Sequence, residues 1–161
     1  MLAIIGCGNP NRSDDGAGPE TIARLRKLTL APDVALFDAG TDGMSVLYQA
    51  RGATRLILID AKAPEDQAGA IYEVPGAELT ASPPNSFNLH DFRWDHALYA
   101  GQKIYGDDFP RDVKVFLIEA QSLDLGLGLS RSVSNAVKNV AARIAALAQD
   151  HPSPAVSDQP S

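Results

Sequence analysis

The stretch that most constrains the fold is the glycine-rich segment 6–18, which reads Gly-Cys-Gly-Asn-Pro-Asn-Arg-Ser-Asp-Asp-Gly-Ala-Gly. A short apolar run, 2–5, leads into it, and apolar residues at helical spacing, 19–28, follow it. Glycine lets the chain turn sharply at the end of a strand because it has no Cβ atom. Pro19 suits the first turn of a helix, where its missing N–H leaves no bond unmade. The segment therefore predicts a strand, a tight turn and a helix within the first thirty residues.

Two carboxylates, Asp14 and Asp15, come just before this helix, where unpaired N–H groups and the helix dipole favour negative charge. We expect Asp14 to cap the helix, and a capping role is also open for Asp15. The segment begins like the dinucleotide fingerprint G-x-G-x-x-G, but the glycine after Gly8 is Gly16, which comes too late. The two carboxylates would also repel a pyrophosphate. A nucleotide- or phosphate-binding protein is therefore an alternative that the sequence disfavours.

Composition sets limits on the class of protein. The chain has 161 residues, 45% of them hydrophobic, which suits one domain with a single sizeable core. Its one cysteine, Cys7, excludes an internal disulfide and a multi-cysteine zinc site. The sequence shows neither a secretion signal nor an apolar run of about 20 residues, so we expect a cytoplasmic protein without a membrane partner. A net charge of −6 argues against nucleic acid and suits a positively charged protein segment.

Strands and helices alternate along the chain, which predicts an α/β domain with right-handed crossovers. We expect a single domain over 1–149, built on a mixed, mostly parallel sheet of about five strands with helices on both faces. The predicted strands are 2–7, 34–37, 55–59, 70–74 and 113–119. The predicted helices are 19–28, 44–51, 90–105 and a last one from the N-cap Ser130 to about residue 148. The strand 70–74 follows too short a connection for a helix and should be an antiparallel edge strand.

Apolar spacing also predicts which helix positions face the core. One helix face is formed by Ile22, Leu25 and Leu28, and one side of the next helix by Met44, Leu47 and Tyr48. Helical spacing also relates Phe92, Trp94, Leu98, Tyr99 and Ile104. In the last helix the positions expected to face inward are Val133, Val137, Val140, Ile144 and Leu147. Residues 81–88 are polar and contain prolines, and we expect a loop there. The last residues, 150–161, are rich in Pro, Ser and Asp and are predicted to form a disordered tail.

Three aspartates fall at comparable places relative to the predicted strands. Asp15 follows the first strand, Asp38 ends the second and Asp60 ends the third. The carboxyl ends of parallel strands meet at one edge, where open α/β sheets place their ligand sites. Asp38 also fits a plain turn residue before Gly40, whereas Asp60 follows a strongly apolar strand, where an unpaired carboxylate would be costly.

A histidine completes the candidate set. His90 opens a predicted helix after a polar loop, from which it can reach the same edge, although a surface or capping role is also open. Two carboxylates and one imidazole suit a borderline divalent ion such as zinc, nickel or iron. His96 lies six positions later, on a different helix face, and is a second candidate ligand. Cys7 has no basic neighbour that would lower its pKa, so we expect it to pack in the core.

Four segments together give the chain a family resemblance. They are 6–9 with 14–18, 38–43, 58–61 and 127–130, and they occur in order within residues 2–147. In this respect the chain resembles the hydrogenase maturation endopeptidases, which trim the C-terminus of the large subunit of nickel–iron hydrogenases. The resemblance implies an aspartic-type endopeptidase that acts on a nickel-loaded precursor of such a subunit.

The resemblance also assigns roles to residues of this sequence. It implies that Asp15, Asp60 and His90 contact the nickel ion, which belongs to the substrate, so that no intrinsic cofactor is expected. Asp15 and Asp60 would also serve catalysis, with Asp38 as a further candidate for the base. We expect the protein to act as a monomer. A metal-sensing module that docks on a metalloprotein without cutting it would use the same ligands and is the main alternative.

Overall fold

The first strand, β1 (Leu2–Cys7), is buried along its whole length and forms the middle of the sheet. The computed structural model describes residues 1–76 and 94–149. In it, β2 (Val34–Gly40) and β3 (Arg55–Lys62) pair in parallel with the two edges of β1. A parallel strand that is covered on both faces must be apolar at every position, and this explains the continuous apolar run that begins the chain.

Two more strands complete a five-stranded sheet: β4 (Ile71–Pro75) and β5 (Asp112–Glu119). The strand order is β2-β1-β3-β5-β4. β5 is parallel to β3, and β4 pairs antiparallel with β5 at the edge. The predicted mixed, mostly parallel sheet and its antiparallel edge strand are therefore confirmed.

Helices cover both faces of the sheet, as predicted. They are α1 (Ala17–Arg26), α2 (Gly43–Ala50), α3 (Trp94–Tyr105) and α4 (Arg131–Gln149). Alternate residues of β1 separate two apolar layers. Leu2 and Ile4 pack with α1 and α4, whereas Ala3 and Ile5 pack with α2 and α3. This division follows from the two-residue period of a strand.

The strand order reverses direction at β1. From β1 the chain crosses through α1 to β2 on one side, and then through α2 to β3 on the other side. Because the two crossover helices lie on opposite faces, their adjoining loops separate above the carboxyl ends of β1 and β3. Such a switch point is where open α/β sheets form a ligand crevice.

Most predicted element bounds agree with the structure to within three residues. Ser130 is confirmed as the N-cap of α4, since its hydroxyl accepts a hydrogen bond from the N–H of Val133 at 3.4 Å. The predicted loop 81–88, the first part of the predicted helix 90–105 and the tail 150–161 lie outside the described residues. The domain limit at residue 149 stays a prediction. Within the described ranges, no helix is both long enough and apolar enough to cross a bilayer.

Some residues of the apolar faces predicted for three helices are exposed rather than buried in the core. In α2, Met44 and Tyr48 are exposed, and Val46 with Leu47 and Ala50 fills the core instead. An eight-residue helix spans only about two turns, so its apolar spacing fits more than one face, and the packing of small residues decides between them. Leu28 and Ile104 are also exposed. Leu28 lies beyond the end of α1 at Arg26, and Ile104 is in the last turn of α3.

Two glycines allow α1 to lie directly against the end of the sheet. A Cβ atom added to Gly18 would be 2.2 Å from the carbonyl oxygen of Cys7 and 2.7 Å from that of Ile59. A Cβ atom added to Gly6 would be 2.5 Å from the carbonyl oxygen of Gly18. These contacts are with backbone atoms, which cannot move aside as a flexible side chain can. Residues 6 and 18 must therefore be glycine for α1 to start where it does.

We predict that Gly18→Ala lowers the free energy of unfolding by about 3 kcal/mol, because the methyl group overlaps two backbone carbonyls. Gly52→Ala is the matched control. Gly52 has φ +84°, and no described atom lies within 4 Å of its added Cβ, so only the backbone conformation is strained. That change should cost about 1 kcal/mol. Urea unfolding followed by circular dichroism measures both, and equal losses would contradict the close-approach argument.

Candidate active site

A small cleft opens at the carboxyl ends of β1 and β3, where the strand order reverses. Its walls include Gly8, Asp15, Gly43, Asp60 and Trp94. The cleft has a volume of about 20 Å³, which is enough for one water molecule or one ion. The chain thus brings the carboxylates of Asp15 and Asp60, 45 positions apart in sequence, to one small cleft at the predicted edge of the sheet.

Asp15 reaches this cleft from a single 3-10 turn, Ser13–Gly16, that precedes α1. Its side chain is only 8% exposed, and Oδ2 accepts a hydrogen bond from the N–H of Asn9 at 2.8 Å. Gly8 has φ +136°, and a Cβ atom there would lie 1.9 Å from the carbonyl oxygen of Asp15. Glycine at position 8 therefore allows the chain to fold back closely enough to hold Asp15 above β1.

Asp60 lies within β3, directly after the buried Ile59, and is 6% exposed. Its Oδ1 accepts a hydrogen bond from the N–H of Ala61 at 2.8 Å. Its Oδ2 accepts one from the indole Nε1 of Trp94 at 2.7 Å. These two donors fix the orientation of the carboxylate. A functional group that must act at a defined point needs such support from its neighbours.

The other sequence candidates lie elsewhere or beyond the described residues. Asp38 is exposed and lies outside the described lining of the cleft, where its Oδ1 accepts a hydrogen bond from the N–H of Gly40 at 3.0 Å. That is the turn role that the sequence left open for it. His96 is buried in α3, also outside that lining. His90 falls in the part of the chain that is not described, so its predicted role as a ligand stays a prediction.

Cys7 is buried, packs in the layer of α2 and α3, and also lines the cleft. Its position agrees with the expected packing role. Within residues 1–76 and 94–149, no three His, Cys, Asp or Glu side chains lie together as a metal-holding group. The described lining of the cleft therefore carries three carboxylates, those of Asp15, Asp60 and the α2 N-cap Asp42, but the described residues do not form a full set of metal ligands.

A wider hollow adjoins the cleft. Asp60 and Trp94 line both spaces, so together they form a shared wall. The second hollow has a volume of about 230 Å³, and its lining also includes Lys62, Asp95 and Leu117. A hydrogen bond to Glu65, above all, raises the pKa of Lys62 and keeps it positively charged at neutral pH. This space is large enough for part of a polypeptide chain, which the cleft alone is not.

Behind Lys62, the edge strand adds a second group with a shifted pKa. Burial, followed by the charge of Glu119, raises the pKa of Tyr72. The hydroxyl of Tyr72 donates a hydrogen bond to Oε1 of Glu119 at 3.2 Å. Glu119 is fully buried at the end of β5 and also accepts from the N–H of Gln67. This carboxylate therefore fixes the connection between β3 and β4 rather than the cleft.

Asp14 does not cap α1, and that expectation was wrong. It is 1% exposed, α1 has Gly16 at its N-cap, and no side chain caps that end. The carboxylate instead accepts from the N–H groups of Gln121 (2.8 Å), Ser122 (3.4 Å) and Ser130 (2.7 Å) and from the hydroxyl of Ser130 (2.9 Å). The donors lie more than 100 positions away, so local sequence favoured a cap that the fold does not use.

Trp94 is the residue that sequence reasoning missed. Helical spacing placed it among apolar core positions, where it does pack partly against the layer of α2 and α3. Its indole N–H, however, is directed at Asp60. A buried tryptophan usually finds a partner for its N–H, and this is the only signal in the sequence that pointed to such a contact.

The fold and the cleft together define a class: an open α/β protein with a carboxylate-lined crevice at its switch point. Comparison with known proteins narrows this class. A family model described as hydrogenase maturation protease (HycI) matches residues 19–147. Since the match covers well over half of the chain, the chain belongs to the hydrogenase maturation protease family, which confirms the resemblance seen in the sequence.

Individual relatives agree with this assignment. A protein of Methanocaldococcus jannaschii is 32% identical over 92 residues, which are 56% of this chain and 60% of that protein, so the match spans less than two thirds of its length. The hydrogenase 2 maturation protease of Escherichia coli is 25% identical over 134 residues, covering 82% of this chain and 80% of that one. The structure of the hydrogenase maturating endopeptidase HybD from Escherichia coli is similar in fold, with a TM-score of 0.78 over 93% of each chain and 21% identity.

We predict that Asp14→Asn lowers the free energy of unfolding by about 3 kcal/mol. The amide presents one acceptor oxygen where the carboxylate presents two, and its NH₂ group faces N–H donors that are then left without an acceptor. Asp42→Asn is the matched control. Asp42 is an exposed N-cap of α2 that accepts a hydrogen bond from the N–H of Met44, and asparagine caps about as well. Thermal and urea unfolding of the two variants measure the difference, and an equally small loss would restore the capping interpretation of Asp14.

Proposed function

We propose that the protein is an endopeptidase that removes the C-terminal extension of a nickel–iron hydrogenase large-subunit precursor after nickel insertion. The observation that carries the proposal is the meeting of Asp15 and Asp60 in one small cleft. Family membership supports the same activity and the same kind of substrate.

The two carboxylates suit peptide-bond hydrolysis in distinct ways. A carboxylate within hydrogen-bond reach of a water molecule can take its proton as the water attacks the scissile carbonyl. The cleft has room for one such water, and Asp60 is held in a fixed orientation by Ala61 and Trp94. Asp60 is therefore the better candidate for the base, with Asp15 facing the same space and available for the ion or the water.

Nickel enters this proposal as part of the substrate. Two carboxylates and one imidazole, Asp15, Asp60 and His90, form an incomplete set of ligands for a borderline divalent ion. Such a set binds the ion weakly by itself and tightly only when the substrate supplies the remaining ligands. The protein would thereby act only on a precursor that already holds its metal. The bound ion would polarise the scissile carbonyl or activate the attacking water.

Phosphate or nucleotide binding at segment 6–18 is poorly supported. Gly6 and Gly18 are used for the contact of α1 with the sheet, so the space that a phosphate would need is filled by backbone. The aspartates that line the cleft would also repel an anion. A metal-sensing docking module that does not cut shares every contact of the peptidase, so only a test for cleavage distinguishes the two.

We predict that Asp60→Asn abolishes processing of a nickel-loaded precursor while the protein stays folded, because the amide can keep one of the two hydrogen bonds that Asp60 accepts from Ala61 and Trp94. Asparagine keeps the shape of the side chain but removes its charge and its ability to accept a proton. Asp107→Asn, in an exposed turn where Asp107 pairs with Arg111, is the control and should process normally. Mass spectrometry of the precursor after incubation detects the lost extension, and full activity of Asp60→Asn would refute the proposed site. Binding without cleavage by the wild-type protein would instead indicate the docking module.

Asp38→Asn tests the further candidate for the base. If its only role is to accept the hydrogen bond from Gly40, processing should fall by no more than about twofold, because asparagine takes the same turn role. A loss of about 100-fold or more would place Asp38 in the chemistry. Initial rates at saturating and at limiting precursor concentration separate an effect on the reaction from one on binding.

A prediction for the metal follows from the incomplete ligand set. In calorimetric titrations, nickel should bind the isolated protein only weakly, and Asp15→Asn and Asp60→Asn should each reduce that binding further. His90→Ala should weaken it as well, whereas His96→Ala should leave it unchanged because His96 lies outside the described lining of the cleft. Loss of binding in His96→Ala alone would show that the second histidine is the ligand.

A further inference from the structure

The two most exposed large apolar side chains among the described residues lie in one loop. They are Leu125 and Leu127, at 85% and 83% exposure, in the β5–α4 loop, residues 120–130. The next leucine in this loop, Leu129, packs instead against the layer of α1 and α4. Of the four leucines in this loop, Leu123 and Leu129 are partly buried, whereas Leu125 and Leu127 are held in solvent.

This exposure does not come from a loosely attached loop. The backbone of Gly126 lies beside residues 11–13 like a short parallel strand, with its N–H donating to the carbonyl of Asn11 at 2.9 Å. Its carbonyl accepts from the N–H of Ser13 at 2.8 Å. The hydroxyl of Ser13 donates to the carbonyl of Asp124 at 2.8 Å, and the guanidinium of Arg12 donates to that of Leu123 at 3.2 Å.

Asp14 strengthens this attachment at both ends of the loop. Its carboxylate accepts from Gln121 and Ser122 near β5 and from Ser130 at the start of α4. The next residue in the chain, Asp15, faces the cleft. The exposed leucines are thus fixed in position relative to the carboxylate that the proposed function places at the reacting bond.

We propose that Leu125 and Leu127 form a docking surface for the folded body of the large-subunit precursor. This inference rests on the proposed function, because it takes the substrate to be a protein. The cleft has room for about one water molecule or ion and the adjoining hollow for a short stretch of chain, so recognition of a whole protein needs contacts outside both. Exposed apolar side chains fixed next to a site are typical of protein interfaces, where a few buried anchors supply most of the affinity. An apolar patch beside the precursor's C-terminal extension is the complementary surface.

The test compares the full-length double variant Leu125→Ser/Leu127→Ser with wild type on a nickel-loaded, C-terminally extended large-subunit precursor. Loss of two apolar anchors should raise KM about 30-fold and leave kcat within about twofold, because the docking contact is equal in the ground state and the transition state. Leu28→Ser is the matched control. It removes another exposed leucine, in the connection after α1, and should leave both constants unchanged.

Three results would overturn the inference. An unchanged KM in the double variant would show that the leucines do not contact the precursor. A lower kcat with an unchanged KM would place the loop in the chemistry rather than in docking. Self-association of wild type in sedimentation at assay concentration, lost in the double variant, would make the surface a contact between two copies of this chain. Failure of wild type to cleave any precursor would instead refute the proposed function, which keeps the two failures separate.

Discussion

The contact between the start of α1 and the ends of β1 and β3 determines the geometry of the whole carboxyl edge. Any side chain at position 18 would overlap the carbonyl oxygens of Cys7 and Ile59. Glycine there lets the helix begin directly above the sheet, and the connection from β1 must then fold back within residues 8–16. That connection carries Asp15, whereas Asp60 belongs to the neighbouring strand. The distance of α1 from the sheet therefore sets how closely the two carboxylates approach each other.

Two adjacent residues in that connection serve different parts of the molecule. In the 3-10 turn Ser13–Gly16, Asp14 accepts hydrogen bonds from the β5–α4 loop, and Asp15 faces the cleft. One short turn therefore joins the start of the chain to the start of its last helix. The buried carboxylate of Asp14 makes this connection stable, because N–H and O–H donors satisfy it. Without such donors, burying a carboxylate would be costly. A change at Asp14 would therefore reach Asp15 through the backbone of the turn, without any contact between their side chains.

The sheet could be predicted from the sequence because each strand is indicated by residues that are close together in the chain. Apolar runs such as Leu56–Ile59, bounded by turn residues, are typical of strands buried on both faces, and the short connection before β4 is too short for a parallel crossover. The meeting of Asp15 and Asp60 at one edge also followed, since parallel strands end together. The partners of Asp14 and the indole contact of Trp94 did not follow, because they depend on residues more than 30 positions away. The prediction of which side of α2 packs against the core did not hold for a related reason. The apolar spacing of α2 fits several faces, and contact with the neighbouring helix determines which one is buried.

The same structure accounts for how a peptidase of this kind would avoid cutting other proteins. The cleft has room for about one water molecule and the adjoining hollow for only a short stretch of chain, so a free peptide finds a limited contact surface there. Under the proposed function, affinity would come from two separate sources: the ion that completes the ligand set of Asp15 and Asp60, and a folded body docked at the β5–α4 loop. Because both sources must act on one substrate, their effects multiply in the same way as linked binding sites. A protein that lacks either the metal or the docking surface would bind far more weakly, so specificity would depend on the state of the precursor rather than on the sequence at the cut.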